Sequence, residues 1–459
     1  MARLIYNVLC KAHEEIFMST TKSLGTKSLA FVIIALLIGL VVGYGAGSLL
    51  APTATGPAST VTPGPTALTG EIPVGALQDL TGPGSGQGIQ MRVAKEMAVE
   101  EINAWLKQTG QKWTIKLLVE DDQYDPAVAL DKTQALAAKG VKVIIGPEGT
   151  TMVAAVKGYA DSNHILLLSS GSTGASMAIP NDYIFRFAST DVYQCLAQAR
   201  LLVTYDIQYT AFIRINAAVE DEHEGLVTKD WQKINPQGVV GADVTYDAAA
   251  TDFSAQAHSL NDAITAGISK YGKDHVAVFF IGTTEVAAVL QAAKDYPALM
   301  SVVWIANDAV AGATNVVEQS GDIAARVVLA ATVFGATQSA KYHDVQTKLQ
   351  ARLGGAFPNP YAFVDYDITW FVATLLMITQ SYDPVLLQQT ITQVAGNTFG
   401  ATGWMALNAD GDRAYGDFDV WGVLKNSTTG KTEWVRIASW TSAADTVAFV
   451  VSPVPRATG

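Results

Sequence analysis

Beyond residue 70, apolar residues follow two spacings, one typical of strands and the other of helices. Between 113 and 119 every second residue is apolar, whereas between 91 and 105 the apolar residues step by three or four. Further strands are predicted at 72–80, 141–145, 164–168, 210–215, 238–245, 275–281, 301–305 and 326–333. Further helices are predicted at 126–140, 150–161, 192–205, 223–234, 253–270, 284–295, 339–353, 361–380 and 384–395.

This alternation of strands and helices predicts an α/β fold. Strands that alternate with helices form a mainly parallel, doubly wound sheet. About ten strands exceed one comfortable sheet, so the pattern predicts two doubly wound parallel-sheet lobes. Ligands of such sheets bind beyond the carboxyl ends of the strands, and we therefore expect the ligand site in the cleft between the lobes.

The first seventy residues have a different pattern, which predicts a membrane anchor. No charged residue occurs between Ser28 and Pro52, and residues 29–50 form an apolar stretch of about 22 residues. Residues 1–28 carry a small excess of positive charge, which favours a cytoplasmic N-terminal segment and an extracytoplasmic remainder at the cell surface. Residues 51–70, rich in Pro, Thr and Gly, read as an unfolded tether. A cleaved signal peptide is the alternative interpretation of the apolar stretch.

Composition and motifs exclude several classes of function. The chain has 459 residues, 49% of them hydrophobic, and a net charge of −12, which disfavours nucleic-acid binding. Its two cysteines and six histidines have no metal-ligand spacing, and no nucleophile elbow or phosphate-binding loop occurs. The glycines of the 82–88 turn recur every second residue, which does not match a dinucleotide-binding loop. We therefore expect neither enzymatic activity nor a cofactor or metal.

Two turns at predicted strand ends are candidates for ligand binding. Residues 146–151 and 169–174 are rich in hydroxyls and free backbone amides, which could hold a carboxylate through Thr150 and Thr173. Helix capping and turn formation are the alternative explanation for these residue types. Asp308, after another predicted strand, could bind an ammonium group or could cap a helix.

Two acidic segments have a structural interpretation. The 220–224 run precedes an amphipathic helix, where acids complement the helix dipole. Residues 408–419 resemble a calcium loop, but Arg413 stands where that loop needs glycine. A hairpin turn is therefore favoured over a calcium site.

Several short motifs, in order along the chain, resemble those of a known family. They are Thr81-Gly-Pro83 with Gly88, Glu101-Ile-Asn103, Glu120-Asp-Asp-Gln-Tyr-Asp-Pro126, Val143-Ile-Ile-Gly146, Ser169 to Thr173, Pro360-Tyr361, Tyr366-Asp367, and Gly403 with Gly411-Asp412. In these motifs the chain resembles the leucine/isoleucine/valine-binding proteins, type I periplasmic solute-binding proteins of ABC transporters. The resemblance covers about residues 71–424 and implies a hinge between the two lobes.

The resemblance also implies a set of ligand-binding positions. The family's carboxylate-binding positions fall on Thr150 and Thr173, its carbonyl acceptor on Gly171, and the acid that pairs with the ligand ammonium on Asp308. Gln87 and Glu222 stand where the family has aromatic residues over an aliphatic ligand side chain, which predicts a more polar ligand. Three neighbouring positions complete the candidate set: Thr151, Ser172 and Thr283.

By resemblance, the chain is expected to be the extracytoplasmic solute-binding protein of an ABC importer. It would bind an amino acid or related zwitterion and deliver it to permease subunits. The expected first lobe is 71–191 with 333–400, the second is 192–332 with 401–424, and 425–459 is a C-terminal extension. A sensing receptor module for amides, urea or amino acids on the same fold is the alternative.

Overall fold

The computed structural model describes residues 68–336 and 338–458, in which strands and helices alternate as the sequence predicts. The predicted membrane span and most of the tether lie outside these residues. The first lobe is built on a five-stranded parallel sheet with the order β2-β1-β3-β4-β5. Its strands are β1 Gly70–Gln78, β2 Trp113–Asp121, β3 Val143–Ile145, β4 Leu166–Ser169 and β5 Ile184–Arg186. The first three helices within the described residues are α1 Ser85–Gln108, α2 Pro126–Ala138 and α3 Thr150–Asn163.

Alternate residues of the first sheet point to opposite faces, and helices cover both. Val143 and Ile145 belong to the same buried cluster as apolar residues of α1, whereas Ile144 belongs to the cluster that contains residues of α2 and α3. Burial on both faces explains why β3 and β4 are almost continuously apolar.

The second lobe is built on an eight-stranded mixed sheet with the order β15-β14-β13-β10-β9-β8-β6-β7. Its strands are β6 Tyr209–Ile215, β7 Val239–Tyr246, β8 Val276–Ile281, β9 Val303–Ala306, β10 Leu329–Gly335, β13 Asp417–Lys425, β14 Thr432–Thr441 and β15 Thr446–Phe449. The helices between β5 and β10 are α4 Asp191–Thr204, α5 Ala218–Ile234, α6 Ser254–Tyr271, α7 Val286–Ala293, α8 Pro297–Met300 and α9 Thr314–Val327. Three last helices and a short hairpin follow β10: α10 Ala340–Arg352, α11 Pro360–Thr379, α12 Pro384–Ala395, β11 Phe399–Gly400 and β12 Gly403–Trp404.

Several predicted boundaries were wrong, each for a local reason. The glycine-rich turn is shorter than predicted, because helix α1 already begins at Ser85. The carboxylate of Asp79 accepts from the backbone amides of Gly82 and Gly84, at 2.6 Å each, and so fixes this turn. The strand predicted from 326 begins at Leu329, because α9 continues to Val327 and ends in a left-handed residue.

The sequence analysis assigned no strand to residues 184–186 or beyond residue 400. In the structure, residues 184–186 form β5. Beyond residue 400, the three strands β13, β14 and β15 join the second sheet in antiparallel orientation. The second sheet is therefore mixed rather than parallel, and residues 432–449 extend its edge.

Helix α11 is long and apolar enough to cross a membrane, but it is a core helix in this fold. Of the residues in its most apolar stretch, 72% are buried, and it packs along α1. Its length and composition therefore reflect burial within the first lobe.

A buried ion pair joins two segments of chain that run between the lobes. The Arg186 guanidinium at the end of β5 binds the Asp412 carboxylate with both groups buried, at 2.5 and 2.7 Å. Neighbouring contacts follow the same path, because Ser189 and Tyr193 donate to the carbonyls of Tyr415 and Ala414. The 408–412 segment is a turn in which the Asn408 side chain accepts from the amides of Asp410 and Asp412.

Among the described residues, no group of three or more His, Cys, Asp or Glu side chains could hold a metal ion.

We predict that Asp412→Asn lowers the free energy of unfolding by about 3–5 kcal/mol, because it leaves a buried guanidinium without its counter-charge. The measurement is urea unfolding of the purified protein. Glu71→Gln is the control, since Glu71 pairs with Lys116 on the surface and such pairs contribute less than about 1 kcal/mol. Equal effects of the two changes would contradict the structural role assigned to Asp412.

Candidate functional site

The two predicted ligand turns lie side by side at the carboxyl ends of β3 and β4. A cis peptide bond joins Gly146 to Pro147 in the first turn. Gly146 has a φ of +107°, and an added Cβ would lie 2.3 Å from the Leu77 carbonyl oxygen, so only glycine suits this position. The Ser169 hydroxyl donates to the Pro147 carbonyl at 2.6 Å and accepts from the Ser172 amide at 3.0 Å. One serine therefore ties both turns together.

Thr150 and Ser172 meet at this edge. The Thr150 hydroxyl oxygen accepts from the Gly174 amide at 3.0 Å and from the Ser172 hydroxyl at 3.4 Å. Because both contacts use the oxygen as acceptor, the Thr150 hydroxyl proton is left to donate elsewhere. Gly171 packs over Glu148, whose carbonyl oxygen would lie 3.3 Å from a Cβ at Gly171. Thr151 is exposed on the first turn of α3.

Tyr124 and Glu148 belong to the same region, and the sequence analysis missed both. The Tyr124 ring lies against Gly149, where an added Cβ would be 2.7 Å from the phenol oxygen. Tyr124 has a positive φ of 54°, and its amide donates to the Asp122 carboxylate at 3.0 Å, which holds that backbone. Burial raises the pKa of Glu148 to about 8, with the carboxylates of Asp365 and Asp122 adding to the effect and Lys95 opposing it.

Asp308 comes from the second lobe and contacts the first. It follows β9 and opens a short 3-10 turn, while Tyr361 lies in the first turn of α11. The Tyr361 hydroxyl donates to the Asp308 carboxylate. Burial raises the pKa of Asp308, and the nearby charge of Asp191 raises it further. The ammonium-binding position implied by the resemblance therefore already has one neutral donor.

Glu222 makes a second contact between the lobes. Its carboxylate accepts from the Ser176 amide at 3.2 Å, and Ser176 lies just beyond the turn that contains Thr173. The acidic run at 220–224 forms part of the first turns of α5, as its helix-start interpretation predicts. Glu222 is thus both part of a helix start and a neighbour of the ligand turns.

Thr283 and Gln87 make different contacts from those expected of ligand residues. The Thr283 hydroxyl and amide both donate to Glu285, which also accepts from the Tyr246 hydroxyl at 2.8 Å. Gln87 is half-buried in the first turn of α1, and in the described chain no hydrogen bond joins its side chain to another predicted site residue. The roles of all nine predicted site residues stay predictions.

A buried histidine lies behind the cleft. Nδ1 of His223 is 3.5 Å from Asp191, and Nε2 is 2.8 Å from the Gln198 side-chain oxygen. The Gln198 amide nitrogen donates to Thr332, which leaves its oxygen facing the histidine. Both ring nitrogens therefore face acceptors, as in an imidazolium ion.

The ionisation of this pair agrees with its geometry. Burial alone would lower the pKa of His223, but contacts with Cys195 and Asp191 raise it well above its ordinary value. Burial alone would likewise raise the pKa of Asp191, yet the bond to His223 and its charge lower it. The amide of Asp191 donates to the Thr173 carbonyl at 2.9 Å, so the charged pair supports the second ligand turn.

The missed residues carried weak sequence signals. Glu148 stands inside a predicted ligand turn, and Tyr124 stands in the 120–126 motif, which contributed to the family resemblance but to no predicted site residue. Asp191 and His223 are 32 positions apart, and their pairing depends on the packing of α4 against α5. Such a pairing cannot be derived from spacing.

Comparisons with known proteins agree with this architecture. The model of the family described as "Receptor family ligand binding region" matches residues 90–426. An uncharacterised protein of Methanocaldococcus jannaschii is 30% identical over 391 residues, covering 79% of this chain and 91% of that protein. A Leu/Ile/Val-binding protein homolog of Brucella melitensis is 26% identical over 200 residues, covering 42% of this chain and 52% of that protein. The isoleucine complex of the transporter substrate-binding protein LivJ from Streptococcus pneumoniae has a TM-score of 0.66 at 20% identity, covering 80% of this chain and 99% of LivJ.

The architecture is the type I periplasmic-binding fold, with two α/β lobes and candidate ligand groups at the strand ends of both. The chain belongs to the family described as a receptor ligand-binding region. The matched family and the named neighbours of known role are binding proteins and receptors, not enzymes.

Glu148 predicts a pH dependence of stability. Its pKa is near 8 in the fold and near 4.5 when the chain is unfolded, so between these values the folded state holds more protons. Stability must then fall as pH rises from 5 to 8. We predict a melting midpoint that falls over this range, and a smaller fall in Glu148→Gln, measured by differential scanning calorimetry.

Other buried acids affect the wild type and Glu148→Gln alike. The difference between their two pH slopes of the melting midpoint therefore reports Glu148. Glu318→Gln, an exposed change on α9, should follow the wild-type curve. An unchanged pH slope in Glu148→Gln would show that this carboxyl ionises normally.

Proposed function

We propose that the chain is an extracytoplasmic solute-binding protein that binds an amino acid or related zwitterion in the cleft and delivers it to an ABC permease. One observation supports the proposal above all: Thr150 follows a strand end of the first lobe, and Asp308 follows a strand end of the second. In the proposed complex these two residues supply complementary groups to one ligand in the cleft. The named relatives, a Leu/Ile/Val-binding homolog and an isoleucine-bound transporter protein, support the class of ligand.

In the proposed complex, the first lobe holds the ligand carboxylate. The free hydroxyl proton of Thr150 and the amides of the 169–174 turn are the donors, with Thr173 beside them. The Gly171 carbonyl and the Asp308 carboxylate accept from the ligand ammonium. A charged hydrogen bond of this kind contributes about 1.5–3 kcal/mol.

Closure of the lobes over the ligand would be the signal that the permease reads. Two contacts support a closed arrangement, Tyr361 with Asp308 and Ser176 with Glu222. The first contact joins α11 to the turn after β9, and the second joins the segment after the second ligand turn to α5. Hinge motion would be confined to the segments that run between the lobes near 187–190, 335–340 and 405–416.

The lobe boundaries proposed from the resemblance need one addition. We keep 71–191 with 333–400 for the first lobe and 192–332 with 401–424 for the second. Strand β14 pairs with β13 and strand β15 pairs with β14, which supports adding 425–449 to the second lobe. The C-terminal extension is then mostly an edge of that sheet rather than a separate unit.

A receptor role on the same fold is the second candidate. The description of the matched family, a receptor ligand-binding region, favours it. The ligand would then be an amide, urea or an amino acid whose binding is sensed rather than transported. Co-purification with permease subunits from the native membrane distinguishes the two roles.

Thr150→Ala should weaken binding about 10- to 100-fold, because it removes one donor to a charged ligand group. The measurement is isothermal titration calorimetry with the amino acid that gives the largest thermal shift in a screen. Thr390→Ala, which removes an exposed hydroxyl on α12, is the matched control and should bind normally. An unaltered affinity of Thr150→Ala would indicate that the 146–151 turn has only a structural role.

The apolar stretch at 29–50 is proposed as a single membrane anchor, with 1–28 in the cytoplasm and 51–70 as a tether. Its length of about 22 residues supports a full span. We predict that the protein stays with the membrane fraction after washing with high salt and alkali, and that its native N-terminus precedes residue 29. A mature N-terminus beyond residue 50 would instead identify a cleaved signal peptide.

A further inference from the structure

The turn between β13 and β14 contains the one Asn-X-Ser/Thr sequence of the chain, Asn426-Ser427-Thr428. The middle residue is not proline, so the sequence meets the requirement of an N-glycosylation acceptor. Such a sequence also arises by chance, and a copy inside a folded core could not be modified. This copy is at the surface, because residues 427–431 are all exposed and Asn426 is half-buried.

The hydrogen bonds of the Asn426 side chain leave room for a sugar. Its oxygen accepts from the backbone amides of Thr428 and Thr429, at 2.9 and 3.0 Å, and its nitrogen donates to the Glu433 carboxylate at 2.7 Å. The side-chain amide has two hydrogens, and only one of them is needed for the bond to Glu433. An N-linked sugar replaces one amide hydrogen and keeps the carbonyl oxygen and the other hydrogen. The folded turn can therefore accept the sugar without breaking any of these bonds.

Turn formation is the alternative explanation for these residue types, and it accounts for Asn426 but not for Thr428. Asparagine is common in turns because its side chain bonds to the backbone two residues on, as it does here. Thr428 contributes only its backbone amide to the turn, and within the described residues its exposed hydroxyl makes no hydrogen bond. The turn thus needs no hydroxyl at residue 428, whereas the acceptor sequence does.

The turn lies at the opposite edge of the second sheet from the candidate ligand site. Strand β13 runs antiparallel to β10, and Gly335 at the carboxyl end of β10 pairs with Asp417 at the start of β13. The other end of β13, Lys425, therefore lies beyond the amino end of β10. The nine residues of β13 extend over about 26 Å, at about 3.3 Å per residue. Asp308, by contrast, follows the carboxyl end of β9, which is parallel to β10.

We infer that Asn426 is an N-glycosylation site on the outer surface of the cell. The inference goes beyond the proposed function and rests on one part of it, the extracytoplasmic location. The glycosyl donor is a sugar chain bound through its anomeric carbon to a phosphate, as in a lipid-linked pyrophosphate. The bond between that carbon and the phosphate oxygen breaks, and a bond to Nδ2 of Asn426 forms. The phosphate leaves with the electron pair, and the displaced amide proton passes to a base of the transferring enzyme.

A glycan at this turn leaves the ligand site free. Glycosylation adds bulk and hydrophilic surface, here at the amino-end edge of the second sheet. The ligand edge of both lobes stays open to the solute and to a permease. Loss of the glycan should change ligand affinity by less than about 2-fold, because distant sites act nearly independently.

The test is peptide mass spectrometry of the full-length protein purified from its native cells. Chymotrypsin cleaves after Leu424 and Trp434 and so releases residues 425–434, which contain the acceptor sequence. We expect this peptide to carry the additional mass of a glycan and to yield sugar fragment ions. Calorimetry with amino acids on the same preparation tests the proposed function independently.

Three substitutions, expressed in the same cells, separate the acceptor sequence from the turn. Thr428→Ala should abolish the modification, because it removes the hydroxyl and keeps the two backbone amides that bind Asn426. Thr428→Ser restores a hydroxyl and should retain the glycan. Thr429→Ala, which changes the neighbouring threonine of the same turn, is the matched control and should also retain it.

Labelling of the same cells with a membrane-impermeant biotin reagent shows whether the protein is at the cell surface. A labelled protein with an unmodified Asn426 would overturn the inference and leave the extracytoplasmic location standing. A protein that is neither labelled nor modified would overturn both. A glycan that persists in Thr428→Ala would place the modification at another residue and so contradict the assignment to Asn426.

Discussion

The buried guanidinium of Arg186 is the interaction on which the rest of the site depends. It binds the Asp412 carboxylate and also donates to the carbonyls of Ser172 and Gly174, at 3.3 and 2.5 Å. One side chain therefore fixes the second ligand turn and ties it to a segment that runs between the lobes. Because a guanidinium offers five donors in a rigid plane, it can hold both partners at once, which a lysine could not. The turn then presents the Thr173 carbonyl to the Asp191 amide and so positions the start of α4.

The hydrophobic pattern predicted most of the parallel part of the fold, because strands buried on both faces are continuously apolar. This holds for β3, β4 and β8, whose residues are buried throughout. It fails for β13 and β14, where half-exposed positions, glycine, threonine and charged side chains interrupt the apolar residues. It also fails for β5, whose three residues include Arg186, a charge that only its buried partner makes compatible with a strand. Local pattern therefore identifies strands stabilised by helix packing, and misses those stabilised by pairing at a sheet edge.

Some residues of the candidate site could likewise be predicted from the sequence, and others could not. Thr150 and the 169–174 turn could be predicted, because topology brings the carboxyl ends of adjacent parallel strands together. Glu148 lies in the neighbouring 146–151 turn, but its raised pKa comes from burial in the fold, which spacing does not reveal. The Asp191–His223 pair forms because helix α4, which carries Asp191, packs against helix α5, which carries His223. Sequence thus predicts where the site lies, while its charge balance comes from tertiary structure.

The charge balance also explains how closure and ligand selection can be one event. Asp308 accepts from the phenol of Tyr361, and Glu222 accepts from the backbone amide of Ser176. These neutral donors let the lobes approach but leave several acceptors unpaired behind them. The ammonium of the proposed amino-acid ligand would give Asp308 a stronger, charge-assisted donor than the phenol. A ligand without an ammonium would leave the Asp308 carboxylate without a counter-charge when the lobes close over it. Selectivity would then arise from the cost of closing on the wrong ligand rather than from the first contact with the right one.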